Sequence, residues 1–328
     1  MAKIEVEKIA LRSGHKGAVY TLQMFQNEGI SQFLSASGDG MVVSWPVDYG
    51  IRHQAMADLE FSTKRSQQTE PSAVAQLAVH IFAVQMLPKQ KFALGGLKGG
   101  IRILDLNTNK EIEVLGEESI SVFDLQILED YLLAARGDGT LLIRANSAPY
   151  TTKIIKVAEA SLRNLAIEPV LLKTGKGRIA ASCSDGNIYQ IDWESKKVVQ
   201  ILSGHSRAVF ASDWSPDGKY LVSGAMDAFL KIWSKDDDLS LEHSIPAHTL
   251  TINALVFDPD GKWMATASRD RSVKIWSLPD FELKKVLARP KYEGHAYSVN
   301  CLCWDAKNEV LWSGSDDKEI MGWKISCS

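Results

Sequence analysis

The stretch that decides the fold is Ser35-Ala36-Ser37-Gly38-Asp39-Gly40, followed by Met41-Val42-Val43-Ser44-Trp45. It recurs as Ser223-Gly224-Ala225-Met226-Asp227 leading to Trp233, as Thr266-Ala267-Ser268-Arg269-Asp270 leading to Trp276, and as Ser313-Gly314-Ser315-Asp316-Asp317 leading to Trp323. In all four copies the tryptophan follows the turn aspartate by six residues. Weaker copies place Lys98 with Leu104, Asp138 with Arg144 and Asp185 with Ile191 at the same offset. Between the seven turn positions 39, 98, 138, 185, 227, 270 and 317 the steps are 59, 40, 47, 42, 43 and 47 residues, so five of the six fit one unit. A unit of roughly 40–45 residues is the period of a repeat array.

Around each turn the unit reads the same way. It opens with Gly-His (Gly14-His15, Gly204-His205, Gly294-His295) or Ala247-His248, then an apolar run such as Val209-Phe210-Ala211. A turn like Ser215-Pro216-Asp217-Gly218 or Asp258-Pro259-Asp260-Gly261 follows. In Pro-Asp-Gly the proline presets φ, the aspartate bonds its own backbone and the glycine accepts positive φ. Short strands between turns, with no long 3.6-residue period, predict an all-β array.

On these residues the chain resembles the WD-repeat β-propeller family, and the resemblance covers essentially its whole length. It implies a ring of seven four-stranded antiparallel blades around a central channel, used mostly as a platform for other proteins. It also implies a structural network joining the histidine before the first strand, a serine or threonine in the second, the turn aspartate and the third-strand tryptophan. By position that network is His15, Asp39 and Trp45; His205, Asp227 and Trp233; His248, Asp270 and Trp276; and His295, Asp317 and Trp323. Blades two to four carry Leu77, Glu118 and Ala158 in the histidine slot and depend on packing instead. Because each set recurs in four places, the histidines and aspartates are read as structural, not catalytic.

The last copy ends at Met321-Gly322-Trp323-Lys324-Ile325, which leaves blade seven one strand short. Residues 4–11, Ile4-Glu5-Val6-Glu7-Lys8-Ile9-Ala10-Leu11, alternate in their first half and belong to no unit of their own. They are expected to complete blade seven, as in relatives, covering an edge that would otherwise be open. The chain is then a single domain over 1–328. The long 59-residue step holds an insertion within 46–76, assigned between blades one and two, whose polar run Ser62 to Ser72 is either functional or disordered.

Composition narrows the function. Hydrophobic residues make up 45% and charged residues 23% of 328, an ordinary globular balance. The formal net charge is −3 and no basic run stands out, so a nucleic-acid partner is not expected. The charged start (Lys3, Glu5, Glu7, Lys8) does not read as a signal peptide, and no run of about 18 apolar residues marks a membrane span. Four cysteines are too few for a disulfide framework, which fits a reducing cytoplasm. Cys301 and Cys303 read as small buried strand residues, and no cofactor or metal is expected.

No phosphate loop, H-E-x-x-H or G-x-S-x-G is present, and Gly95-Gly96-Leu97-Lys98-Gly99-Gly100 falls at a blade turn with no helix to follow. Asp236-Asp237-Asp238 lacks the spaced ligands of a calcium loop. The expected function is a non-enzymatic protein- or peptide-binding scaffold, a monomeric propeller within a complex. The alternative is an enzyme or small-ligand binder using the channel mouth.

Five residues beyond each histidine slot the innermost strand begins, near the mouth of the channel. Those residues are Tyr20, Phe82, Phe123, Arg163, Phe210, Asn253 and Asn300. Aromatic and arginine side chains are enriched at interface hot spots. Leu97, Met226, Arg269 and Asp316, just before the turn aspartates, are expected on the same face. In relatives this face often grips a peptide side chain, so Arg163 and Arg269 are expected to orient an acidic or carbonyl group while the aromatic rim packs its apolar part. The competing reading is that Phe82, Phe123 and Phe210 plug the channel as core.

Overall fold

A computed structural model describes residues 4–27, 30–47 and 71–327. The chain starts with β1 (Ile4–Ser13). Blade 1 is β2 (Val19–Asn27), β3 (Ile30–Ser37), β4 (Met41–Pro46) and β5 (Ser72–Gln76); blade 2 is β6 (Ile81–Leu87), β7 (Lys91–Gly96), β8 (Ile101–Asp105) and β9 (Lys110–Leu115). Blade 3 is β10 (Val122–Leu128), β11 (Tyr131–Arg136), β12 (Thr140–Ala145) and β13 (Thr152–Lys156). Blade 4 is β14 (Leu162–Ile167), the short helix α1 (Pro169–Thr174), β15 (Arg178–Cys183), β16 (Asn187–Asp192) and β17 (Lys197–Ser203). Blade 5 is β18 (Val209–Trp214), β19 (Tyr220–Ala225), β20 (Phe229–Ser234) and β21 (Ser240–Pro246). Blade 6 is β22 (Ile252–Phe257), β23 (Trp263–Ser268), β24 (Val273–Ser277) and β25 (Leu283–Leu287). Blade 7 is β26 (Val299–Asp305), β27 (Val310–Ser315) and β28 (Glu319–Cys327), and β1 is its fourth strand.

Every pairing within the seven sheets is antiparallel, as hairpin connections require. The innermost strands touch in sequence, β2 to β6 and onward to β26, and β26 touches β2, so the ring is closed. The protein is a seven-bladed β-propeller. Each innermost strand leaves the same face, and the turn aspartates lie there too; α1 and the Pro-Asp-Gly turns lie on the opposite face.

β1 pairs with β28 from Ile4 against Cys327 to Ser13 against Glu319, two residues further than the 4–11 segment read from the sequence. A bulge between Lys8 and Ala10 breaks its alternation. It lets Leu11 rejoin Ile4 and Val6 in the cluster shared with Trp323 and Ile325, while Ile9 and Ala10 pack toward blade 1. A simple alternation pattern therefore fades after Lys8 although the strand continues.

The insertion requires a correction. β4 and β5 are neighbours in one sheet, so the long connection lies inside blade 1, between its third and fourth strands, and not between blades 1 and 2. The sequence spacing is the same either way, because the turn-to-turn interval counts the connection wherever it falls. Residues 48–70, and with them most of the Ser62 to Ser72 run, lie outside the described residues.

The core sits between blades. Leu133 and Ile143 of blade 3 meet Leu165, Ile179 and Ile191 of blade 4; Ala265 and Ile275 of blade 6 meet Met321 and Trp323 of blade 7. Strands buried on both faces read as continuous apolar runs. Each fully buried Leu, Ile or Val contributes about 1.5–3 kcal/mol against exposure, so the inter-blade seams hold the ring.

Candidate functional site

Four blades carry the same buried relay. In blade 5, Trp233 Nε1 donates to Ser223 Oγ at 2.9 Å, Ser223 Oγ lies 2.9 Å from His205 Nε2, and His205 Nδ1 lies 3.0 Å from Asp227. In blade 6, Trp276 donates to Thr266 at 3.0 Å, with His248 2.8 Å from Thr266 and 2.9 Å from Asp270. Blade 7 repeats this with Trp323, Ser313, His295 and Asp317 at 2.9, 2.8 and 2.9 Å. In blade 1, Trp45 and His15 meet Ser35 at 2.7 and 2.6 Å, but His15 Nδ1 stands 3.4 Å from Asp39 and makes no hydrogen bond.

The relay has a direction. An indole only donates, so the hydroxyl accepts from tryptophan and donates to Nε2; a neutral imidazole then carries its proton on Nδ1, toward the carboxylate. Burial holds His205 and His248 below the ordinary imidazole value and outweighs the attraction of Asp227 and Asp270. Burial also works against the Asp227 charge, but His205 and the Phe229 and Ser206 amides bring that carboxyl below its ordinary value. Each aspartate also receives the amide that follows the histidine slot and one from its own turn, as Asp227 does from Ser206 and Phe229 at 3.0 and 3.1 Å. In blades 5 to 7 both ring nitrogens of the histidine are engaged inside the blade, while in blade 1 His15 Nδ1 is left without a hydrogen bond.

Blades 2 to 4 fill the tryptophan position differently. Leu104 and Ile191 are buried apolar side chains. Arg144 is buried too, reaching Glu113 at 2.7 Å and its neighbour's carbonyl Ala145 O at 2.7 Å. In the histidine slot, Ala158 is buried and Leu77 packs against the blade 1–2 seam, while Glu118 is exposed with Arg102 3.8 Å away.

The rim is built by a backbone device that recurs seven times. Each innermost strand has a register break at its start: Val19/Thr21, Ile81/Ala83, Val122/Asp124, Leu162/Asn164, Val209/Ala211, Ile252/Ala254 and Val299/Cys301. The skipped residues are Tyr20, Phe82, Phe123, Arg163, Phe210, Asn253 and Asn300. A bulge takes one residue out of the ladder and re-aims its side chain. All seven are half-buried. Two residues earlier, each strand's approach accepts a hydrogen bond from the residue before the turn aspartate, among them Ala208 O from Met226 N and Thr251 O from Arg269 N, both at 2.9 Å. Met226, Arg269, Leu97 and Asp316 are thus held on the rim face, and all four are exposed.

Five of the seven rim side chains, Tyr20 through Phe210, touch in order, and Asn253 meets Asn300 between blades 6 and 7. Tyr20 meets Phe82 edge to face at 5.3 Å, and Phe82 stacks on Phe123 at 5.5 Å. Arg163 Cζ lies 4.0 Å from the Phe123 ring centre and 5.2 Å from that of Phe210. Asn253 donates to Ser298 Oγ at 3.0 Å and Val299 O at 2.9 Å, and Asn300 donates to Asp316 at 2.7 Å and to Val19 O at 3.2 Å. One arc is aromatic and cationic, the other amide-lined. The offset from the histidine slot locates these seven; Ser184, which takes Arg163 Nε at 2.9 Å, occupies the pre-turn position and is found by the same counting.

Below the rim, side chains on the innermost strands stitch blade to blade. Asp124 accepts from Leu165 N at 2.7 Å and Asn164 Nδ2 at 3.2 Å, while Asn164 Oδ1 accepts from Ser212 N and Ser212 Oγ at 2.8 and 2.9 Å. Asp213 accepts from Trp214 N at 2.9 Å and from the Phe257 amide of blade 6. Burial pushes Asp124 up to about 6 and Asp213 up to about 7. No sequence signal marked this chain, because its spacing has no fixed period. Cys301 and Cys303 sit in the same wall with thiols raised by burial, Cys303 to about 12.

Comparison with known proteins agrees with this architecture. The family model "WD domain, G-beta repeat" matches residues 196–234, 239–277 and 287–324, within blades 4 to 7. The chain is 30% identical over 129 residues to the Denticleless protein homolog of Gallus gallus, covering 36% of this chain and 18% of that protein. It is 23% identical over 248 residues to the serine-threonine kinase receptor-associated protein of Dictyostelium discoideum, covering 67% of this chain and 81% of that protein. It is 29% identical over 151 residues to the probable cytosolic iron-sulfur protein assembly protein 1 of Kluyveromyces lactis, covering 45% of this chain and 34% of that protein. The match thus spans about a fifth of the Denticleless homologues. With repeat matches in three of the four strong copies and seven four-stranded blades in one ring, this chain belongs to the WD-repeat β-propeller family.

Proposed function

We propose that the protein is a non-enzymatic interaction scaffold that grips a segment of a protein partner at the channel mouth. The carrying observation is the ring of seven bulges, which turns one residue per blade out of its ladder and onto a single contiguous rim. A half-buried aromatic arc with an arginine at its centre has the make-up of an interface hot spot. Arg163 and Arg269 orient an acidic or carbonyl group of the bound segment, and Tyr20, Phe82, Phe123, Phe210 and Met226 pack its apolar part. The names of two relatives speak of receptor association and of assembly, which accords with a role in complexes.

The test is co-purification from the native source with Tyr20→Ala, Phe123→Ala and Arg163→Ala, against Lys219→Ala on the opposite face. The rim variants are expected to lose partners that Lys219→Ala retains, with melting temperatures unchanged for Tyr20→Ala and Arg163→Ala. Full recovery of every partner by all three stable rim variants moves the interaction off this face.

A further inference from the structure

We infer that the segment bound at the rim is acidic, anchoring one carboxylate on Arg163 and running outward over blades 5 and 6 with further carboxylates alternating with apolar side chains. This rests on the reading of the rim as the binding surface. Its first support is the state of Arg163. The guanidinium lies against two rings and its Nε is committed to Ser184. Its two terminal nitrogens meet no acceptor among the described residues, and no carboxylate lies within ion-pair range. Burial already disfavours its charge. A planar fork held between rings has given up much of its rotamer freedom, so an incoming carboxylate gains a bidentate, charge-assisted contact at little further entropic cost.

The second support is the distribution of arginines. Arg102, Arg136, Arg144 and Arg178 each reach a carboxylate. Among the described residues Arg163, Arg207, Arg269 and Arg271 meet none, and all four rise from the rim face of blades 4 to 6, the last three exposed; Arg289, which meets none either, donates instead to Gly294 O at 2.8 Å. Most carboxylates of that arc are already engaged. Asp227 and Asp270 hold His205 and His248, Asp185 takes Asn187 N and Tyr189 Oη, and Glu159 faces Lys156.

The third support is what lies between the arginines. Met226 and Leu250, 41% and 49% exposed, stand on the rim-face loops of blades 5 and 6. Cationic and apolar groups therefore share one track. Asp316 on blade 7, held by Asn300, ends it, because a second carboxylate there would meet repulsion. An extended acidic segment with interspersed apolar residues complements this track, and a neutral or basic one does not.

A random peptide library displayed on phage, panned against the whole chain, tests this directly. Selected sequences are expected to be rich in Asp and Glu beside large apolar residues. By fluorescence anisotropy, a selected peptide should bind about tenfold more weakly to Arg163→Gln, the scale of one charge-assisted contact. It should bind severalfold more weakly to Arg269→Gln/Arg271→Gln, and binding should weaken as salt rises. Binders abolished by Phe123→Ala but lacking acidic enrichment and indifferent to the arginine variants overturn the acidic segment while leaving the rim as the site. A library that yields no binder sensitive to Phe123→Ala or Arg163→Gln overturns both.

Discussion

Ser223 Oγ sits 2.9 Å from Trp233 Nε1 and so joins a third-strand indole to a second-strand hydroxyl inside blade 5. The same oxygen also serves His205 Nε2. Ser223→Ala leaves both ring nitrogens buried without a partner and is expected to cost about 1–3 kcal/mol. His205→Ala is expected to fall in that same range of about 1–3 kcal/mol, and Trp233→Ala to cost about 3–5 kcal/mol through lost packing. Urea denaturation measures all three. A His205→Ala protein of native stability that has lost a specific ligand would show that the relay is functional after all.

Acid should remove the stability contributed by the histidine–aspartate relays in two stages. His205 and His248 have folded values below the ordinary 6.5, so their contribution is complete above that value and is lost as pH falls through the folded values. Asp227 and Asp317 are held below the ordinary 3.8, so theirs is lost further down in the same direction. The stability difference between the native protein and His205→Gln, followed across pH, isolates the relay and checks the sign; a difference that grows on acidification from near pH 6 to about pH 3 contradicts it.

Asp213 acts in the opposite sense. Its folded value is pushed up to about 7, so its contribution is present below the ordinary 3.8 and lost as pH rises through that folded value. Asp213→Asn keeps an oxygen for the Trp214 and Phe257 amides and removes the charge. The variant is expected to be more stable than the native protein near pH 8, the difference vanishing by about pH 4. Paired melts at the two pH values decide it, and an equal or lower melting temperature near pH 8 counts against the assignment.

Gly40 has φ +78°, and a Cβ there would stand 2.0 Å from Leu77 O on the approach to blade 2. Neither the turn nor the adjacent backbone can yield without breaking the Leu77 N to Gly40 O hydrogen bond at 2.8 Å. Gly40→Ala is expected to destabilise by at least about 1–3 kcal/mol, the usual cost of forced overpacking, with strained φ added. A melting temperature equal to the native one rejects this contact as a constraint.

Closure of the ring rests on β1. Deleting residues 1–11 removes most of the pairing with β28 and uncovers its edge, along with the Trp323 and Ile325 seam. The expected result is a lower melting temperature and aggregation through the exposed strand. Light scattering alongside a thermal melt reads both, and a monomer of unchanged stability excludes this closure.

Much of this molecule is written locally. The aspartate and tryptophan six residues apart belong to one turn and the strand that follows it, so a single stretch such as Ser35 to Trp45 states its own structure, and repetition multiplies the signal into a blade count. The rim residues were also reachable by counting from the histidine slot, because each bulge lies a fixed distance along one chain segment. Three features were decided only in three dimensions. The long connection falls inside blade 1 because β5 pairs with β4, which no interval between turns reports. Asp124, Asn164 and Ser212 stitch three blades across separations of 40 and 48 residues. Arg163 is held between Phe123 and Phe210, one on each neighbouring blade. Contacts between blades depend on how separate sheets are brought together around the channel, and side-chain partners chosen across that seam follow from packing, not from spacing along the chain.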